Sequence, residues 1–249
     1  MSDVSVERVG EHVALVEFSR PPNNFFDAAL VGVVADAYER AESDGCRAIV
    51  LCSAGRHFCA GANFAADNPG RSGALYEQAV RLFSGAVPVV AAVQGAAIGG
   101  GLGVALSADL RVATPQSRFA ANFARLGIHH GFGVTVTLPL VVGHQRALEL
   151  LYSGARVEGE RAHAIGLCDR LVSAEELRPT AIALAEEIAA SAPLAVRAIR
   201  RTMRGDLAER VREATAREWT EQAKLFDTED FAEGVAAVNE RRPARFTGR

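Results

Sequence analysis

The chain is poor in the features that mark several large protein classes. Of its basic residues only Lys224 is a lysine, and the formal net charge is -3. No basic excess is available to attract nucleic acid or an anionic membrane surface. The four cysteines, at 46, 52, 59 and 168, form no CxxC pair, and no Cys/His cluster has zinc spacing. They read as reduced thiols of a cytosolic protein, with no metal expected. The N-terminal stretch MSDVSVERVGEHVALVEF has no basic segment followed by an apolar one, so no signal peptide is expected and a cytoplasmic location is. The longest apolar runs, such as 89–93, are far too short to span a bilayer. No GxSxG elbow occurs, which counts against an ordinary serine hydrolase. No Asp or Glu stands between Asp109 and Glu149.

What the chain does have is apolar material, 49% of 249 residues, enough for one large core with a helical C-terminal appendage. Residues 12–18 (HVALVEF), 47–52 (RAIVLC), 89–93 (VVAAV) and 110–113 (LRVA) read as strands. Asp27 is placed to cap a helix that ends at Gly45, and a second helix is expected over 74–83. The polar segment 64–72 reads as a loop. Nearly unbroken apolar strands alternating with helices predict an α/β fold with a parallel sheet covered on both faces. Beyond Gly131 the pattern turns helical over 133–142, 144–152, 158–165, 175–190, 193–204, 207–225 and 229–240, with one short strand near 168–172. No internal repeat is visible.

The most informative stretch runs from Gln94 to Gly103, QGAAIGGGLG, between the apolar strand and a helix expected over 102–108. Three consecutive glycines at a helix N-terminus leave main-chain N–H groups free, with no Cβ to block a ligand. The helix dipole favours a negative oxygen there, a phosphate or an oxyanion forming on a carbonyl. Close strand–helix packing explains the same glycines equally well. The dinucleotide fingerprint fails at Val104, and no Gly-Lys-Ser/Thr follows. A second small-residue turn, 55–64, follows the 47–52 strand. Both turns would stand at the carboxyl ends of parallel strands, where such sheets bind ligands, and together could present two N–H groups to one oxygen.

With HFCAGANF at 57–64, PVVAAVQGAAIGGG at 88–101, ADLRVAT at 108–114, RFAA at 118–121, LGIHHGFG at 126–133 and FAEGVAAVNERRPARFTG at 231–248, the chain resembles the crotonase (enoyl-CoA hydratase/isomerase) family over essentially its whole length. The resemblance implies a spiral of ββα units over residues 1–190 and a helical region over 191–249 that mediates trimerisation and covers the site. It implies an acyl-CoA thioester as ligand, with coenzyme A part of the substrate rather than a separate cofactor, and a homotrimer or dimer of trimers. It implies an oxyanion hole from the N–H groups of Ala62 and Gly100. Ala60, Asn63 and Phe64 would line the CoA path, with Gly99 and Phe123 beside the acyl group. Arg20 and the C-terminal arginines are candidates for the CoA phosphates. Phe58, Phe64, Phe123 and Phe132 are candidates for an aromatic acyl pocket, or for the core.

The chain departs from the family where the chemistry is done. The two glutamates of family hydratases fall, by motif, on Gly103 and Phe123. Neither can move a proton, so the usual hydration machinery is expected to be missing. His129 and His130 are the only side chains between the glycine triplet and Gly133 that titrate near neutral pH. They are candidate bases if the protein is an enzyme, and equally a helix cap or a subunit contact. Arg125, near the second lost position, either pairs with an acidic acyl group or lies on a helix surface. Asp67 is the nearest acid to the first turn. Two functions remain open: an enzyme acting on an acyl-CoA by a non-standard mechanism, and a non-catalytic acyl-CoA carrier or sensor.

Overall fold

A computed structural model describes residues 3–63 and 73–249. In chain order the elements are β1 (Val4–Val9), β2 (Val13–Phe18), α1 (Ala28–Ser43), β3 (Ala48–Ser53), α2 (Gly73–Ser84), β4 (Val89–Val93), β5 (Ala96–Ile98), α3 (Gly100–Ser107), β6 (Leu110–Ala113) and β7 (Arg118–Ala120). A 3₁₀ turn at Asn122–Leu126 leads into α4 (Val134–Val142) and α5 (His144–Ser153). Then come β8 (Arg156–Glu158), α6 (Gly159–Ala164), β9 (Arg170–Leu171), α7 (Leu177–Ala190), α8 (Pro193–Arg204), α9 (Leu207–Leu225) and α10 (Glu229–Glu240). The expected 64–72 loop, with Phe64 and Asp67, lies outside the described residues.

A six-stranded sheet runs β1-β2-β3-β4-β6-β9, parallel except for the antiparallel β1–β2 pair. Its inner strands are buried on both faces. Side chains alternate across a strand, so Val13, Leu15, Val50, Cys52, Val90, Ala92 and Val112 face α7. Val16, Ile49, Leu51, Val89, Ala91 and Val93 face the other way, into a larger core with α1, α2 and α3. Leu207, Val211, Phe226 and Phe231 belong to that larger core too, so the C-terminal helices are packed into it.

A second sheet, β5-β7-β8, stands at the carboxyl ends of the first. Each of the central turns of chain contributes one strand to the large sheet, a short extended piece to the second layer, and then a helix or helical turn. β4 is followed by β5 and α3, and β6 by β7 and the 3₁₀ turn. After β3 the layer is marked by two isolated bridges, Cys59 to Ala97 and Phe26 to Ala62. This is the expected ββα spiral, repeated in backbone geometry although no repeat is visible in sequence.

Helix α8 runs against its hydrophobic periodicity. Arg200 and Arg204 turn inward onto Asp109 at 3.1 and 2.9 Å. Leu194, Ile199 and Met203 turn outward and are largely exposed.

Candidate functional site

The first wall of the site is the pair of turns. Buried Asn24 holds the earlier one, its amide nitrogen donating to the carbonyls of Ala54 and His57 at 2.7 Å each. Ala60 N–H donates to Asn23 O at 3.1 Å, and Phe26 N–H to Gly61 O at 3.0 Å. Gly61 has φ +88°, and a Cβ there would stand 2.8 Å from Ile98 O and 3.6 Å from Gly100 N. The two turns therefore touch through a contact that only glycine allows. Gly99, at φ +58°, donates its N–H to Ala120 O at 2.8 Å and precedes α3. The N–H groups of Ala62 and Gly100 donate to nothing among the described residues. Both residues line a cavity of about 570 Å³, with Ala60, Gly61, Asn63, Ile98 and Gly99. Two free main-chain donors, one at the first turn of a helix, suit a carbonyl oxygen gaining negative charge.

Among the described residues the facing wall carries no acid. Where the resemblance assigns the first carboxylate, Gly103 lies against Phe132, and a Cβ on it would stand 2.7 Å from the Phe132 Cβ. Phe132 reaches that place with φ +65°, and its ring lies 5.2 Å from that of Phe26. At the second position Phe123 is buried, its ring edge 3.9 Å from where a Gly99 Cβ would be. Phe26 lies directly over Gly100. Phe26, Phe123 and Phe132 all line the cavity. They thus surround the free amides with hydrocarbon, where a hydratase mechanism needs proton-transfer groups. Phe58, the remaining aromatic candidate that is described, belongs to the core and packs on Phe18 at 5.4 Å.

Neither histidine ring lines the cavity itself; His130 stands behind Phe123, with ring centroids 6.3 Å apart. The rings stack on each other at 4.1 Å. His129 Nδ1 lies 2.7 Å from His130 O, and His130 Nε2 lies 2.8 Å from Thr135 Oγ1. Thr135 gives its hydroxyl proton to Glu218 Oε1 at 2.6 Å, so Nε2 is the donor to Thr135. Burial, helped by the neighbouring His129, pushes His130 down to about 4. Glu218 also accepts from the N–H groups of Gly133 and Thr135 at 2.8 and 3.0 Å. A fully buried carboxylate on α9 thus caps the start of α4, and burial pushes its own pKa up. The loop from Gly131 to Gly133 is pinned by this cap. It is also packed at Gly131 against the Tyr76 hydroxyl, too closely for a Cβ.

Arg20 is tied to Asp3 at 2.5 Å and Asp27 at 2.8 Å, and does not line the cavity. Asp27 caps α1 as expected, accepting from Leu30 N–H at 2.8 Å. Several lining residues come from parts of the chain that no motif pointed to: Phe25, Tyr76, Asn122, Arg156 and Gln222. Tyr76 donates to Gln222 Oε1 at 2.6 Å, and Gln222 donates to His129 O at 2.8 Å. The four thiols are buried, and burial pushes that of Cys59 up to about 12. Among the described residues no cluster of His, Cys, Asp or Glu could hold a metal ion, and no helix is long and apolar enough to cross a membrane.

This fold, with paired amide turns beside an open cavity, has close relatives. Residues 8–249 match the family model described as enoyl-CoA hydratase/isomerase. A Mycobacterium tuberculosis protein named "Probable enoyl-CoA hydratase echA6" is 35% identical over 248 residues, covering 96% of this chain and 97% of that protein. The Bacillus subtilis "Putative enoyl-CoA hydratase/isomerase YngF" is 33% identical over 252 residues, covering 96% and 95%. A solved enoyl-CoA hydratase/isomerase from Pseudoalteromonas atlantica superposes with a TM-score of 0.88 at 29% identity, over 99% of this chain and all of the other. Sequence along nearly the whole chain and backbone geometry agree, and the chain belongs to the enoyl-CoA hydratase/isomerase family, with the crotonase fold.

Proposed function

We propose that the protein binds an acyl-CoA thioester and polarises its carbonyl between the N–H groups of Ala62 and Gly100, without the acid–base pair of a standard hydratase. One observation carries this reading. Among the described residues the cavity offers two main-chain donors with no acceptor, and neither a carboxylate nor a histidine lines it. Coenzyme A enters as part of the ligand, so the reading needs no separate cofactor. Ala60 and Asn63 lie on the path of the CoA moiety, and Gly99 and Phe123 beside the acyl carbons. Binding as a carrier or sensor is the form the geometry supports best, and the histidine pair has no part in it.

A second reading is favoured by the amides themselves. A polarised thioester is activated at its α-carbon, so a reaction needing only oxyanion stabilisation stays within the reach of this site. One experiment separates the readings. Calorimetric titration with crotonyl-CoA is expected to show binding, and loss of the enoyl absorbance on the same sample is expected to be very slow or absent. Each missing acid–base group costs on the order of 10² to 10⁴ in rate. Turnover comparable with an ordinary hydratase would overturn the binding reading, and failure to bind any acyl-CoA would overturn both.

The proposal includes assembly as a homotrimer or dimer of trimers. The exposed Leu194, Ile199 and Met203 on α8 support it, because a monomer leaves that apolar stripe in water. Sedimentation at micromolar concentration tests it, and a stable monomer would refute it.

A further inference from the structure

Among the described residues that line the cavity, the only charged side chains are those of Arg125 and Arg156, both positive. Their placement is fixed by the second sheet. Ile98, Ala120 and Arg156 stand in register across β5, β7 and β8, and all three line the cavity. Two strand spacings put Arg156 about 10 Å from the Ile98–Gly100 turn. Arg125 reaches the same wall from the 3₁₀ turn. Its stem crosses Gly154, where a Cβ would stand 2.8 Å from the Arg125 Cγ, and its Nε donates to Ser153 O at 2.7 Å. Neither guanidinium meets a carboxylate among the described residues. Glu158, two residues along β8, stands opposite Arg118 and does not line the cavity. Asn122, between them and Gly99, has a buried side-chain oxygen with no partner.

The layer order says which part of a ligand these cations face. The Cys59–Ala97 bridge sets the 59–62 segment on one side of β5, and β7 and β8 lie on the other. If the CoA moiety follows Ala60 and Asn63, the arginines stand beyond the carbonyl, on the acyl side. We infer that Arg125 and Arg156 form an anion subsite for a carboxylate at the far end of the acyl group, so that the ligand class is the mono-CoA thioester of a short dicarboxylic acid. This inference rests on the acyl-CoA reading above. A guanidinium pairs a carboxylate through two parallel N–H donors. Among the described lining residues neither cation meets an anion, so a terminal carboxylate gains a pairing that an uncharged chain end does not.

The test compares two thioesters of equal chain length, glutaryl-CoA and valeryl-CoA, by calorimetry on the full-length protein. Wild type is expected to bind glutaryl-CoA about tenfold more tightly, the effect of one charge-assisted hydrogen-bonding group. In Arg125→Gln/Arg156→Gln that ratio is expected to fall toward one, and in Arg156→Glu to drop below one. The substituted side chains are exposed, and thermal melts check that the variants fold. A wild-type preference for valeryl-CoA, or no preference, overturns the inference. So does equal weakening of both thioesters in the double variant, which would place the guanidiniums on the CoA phosphates. If neither thioester binds the wild type, the acyl-CoA reading itself fails, an outcome distinct from binding without preference.

Discussion

The two walls of the cavity are built from opposite materials. Apart from Asn63 and Ile98, the Ala60–Asn63 and Ile98–Gly100 turns present main chain with no side chain beyond a methyl, and their conformation is forced by contacts at Gly61 and Gly99. The facing wall presents side chains, the rings of Phe123 and Phe132. A main-chain donor survives any substitution that keeps the backbone in place, whereas an acid–base group is lost with one side chain. On the proposed reading, the chain keeps what needs only backbone geometry and does without what needs a particular functional group. Gly103 and Phe132 show that the second wall is a packed solution in its own right, since the ring occupies the space a side chain at 103 would enter.

The sharpest way to break this comparison is to return a carboxylate to the second wall. Gly103→Glu drives a charged side chain into the Phe132 ring. Overpacking and an unpaired buried charge together are expected to cost about 3 kcal/mol or more. Chemical denaturation is the measurement, and crotonyl-CoA hydration is expected to stay absent. Wild-type stability in this variant would mean that Phe132 swings clear and that the wall is soft. Glu218→Ala tests the same wall from behind. It strips Gly133 N–H, Thr135 N–H and the Thr135 hydroxyl of their acceptor, at a cost of about 3 kcal/mol. A loss under 1 kcal/mol would show that the cap is not what holds the loop.

The first wall is tested by Gly100→Pro. A helix tolerates proline at its first position, so α3 itself survives, but one of the two free donors is removed and Phe26 must yield to the ring. Affinity for crotonyl-CoA is expected to fall at least about tenfold, the worth of one hydrogen bond to a polarised oxygen. Unchanged affinity in a variant with a native circular dichroism spectrum would remove Gly100 from the site.

How far these walls could be read from sequence follows from the same contrast. β2, β3, β4 and β6 were legible because both faces are largely buried and the apolar runs are broken only by Glu17 in β2 and Arg111 in β6. β1 was missed: it is an edge strand with four exposed positions, and only three of its six residues are apolar. β5, β7 and β8, three residues each, are too short to show a period, and they are the strands that build the site. The glycine turns were legible because close main-chain approach restricts residue type locally. Phe26, Tyr76, Arg156 and Gln222 were not, because each is brought in by tertiary packing from a distant segment. The histidine pair stayed open between a base and a helix cap for a related reason. Sequence gives the distance along the chain from the lost carboxylates, but Thr135 and Glu218 decide where the rings are held.

The smallest effect concerns that pair. His130 sits near 4 in the folded protein because burial and His129 disfavour its charge, against about 6.5 in an unfolded chain. The native state refuses a proton that the unfolded state accepts. The stability His130 contributes is therefore fully present above about pH 6.5 and is lost as pH falls toward 4. Glu218, facing it through Thr135, works the other way. Its raised folded pKa lets the native state take up a proton before the unfolded state does, so acidification through that range favours folding. The two trends oppose each other, and a melting curve of wild type alone does not separate them. The difference between wild type and His130→Gln does, since glutamine keeps a donor for Thr135 and does not titrate. Below pH 6 the melting temperature of wild type is expected to drop more steeply than that of the variant, with the gap closing above pH 7. Parallel profiles would show that His130 is protonated without cost, open to water, and that the loop behind the phenyl wall is looser than its contacts imply.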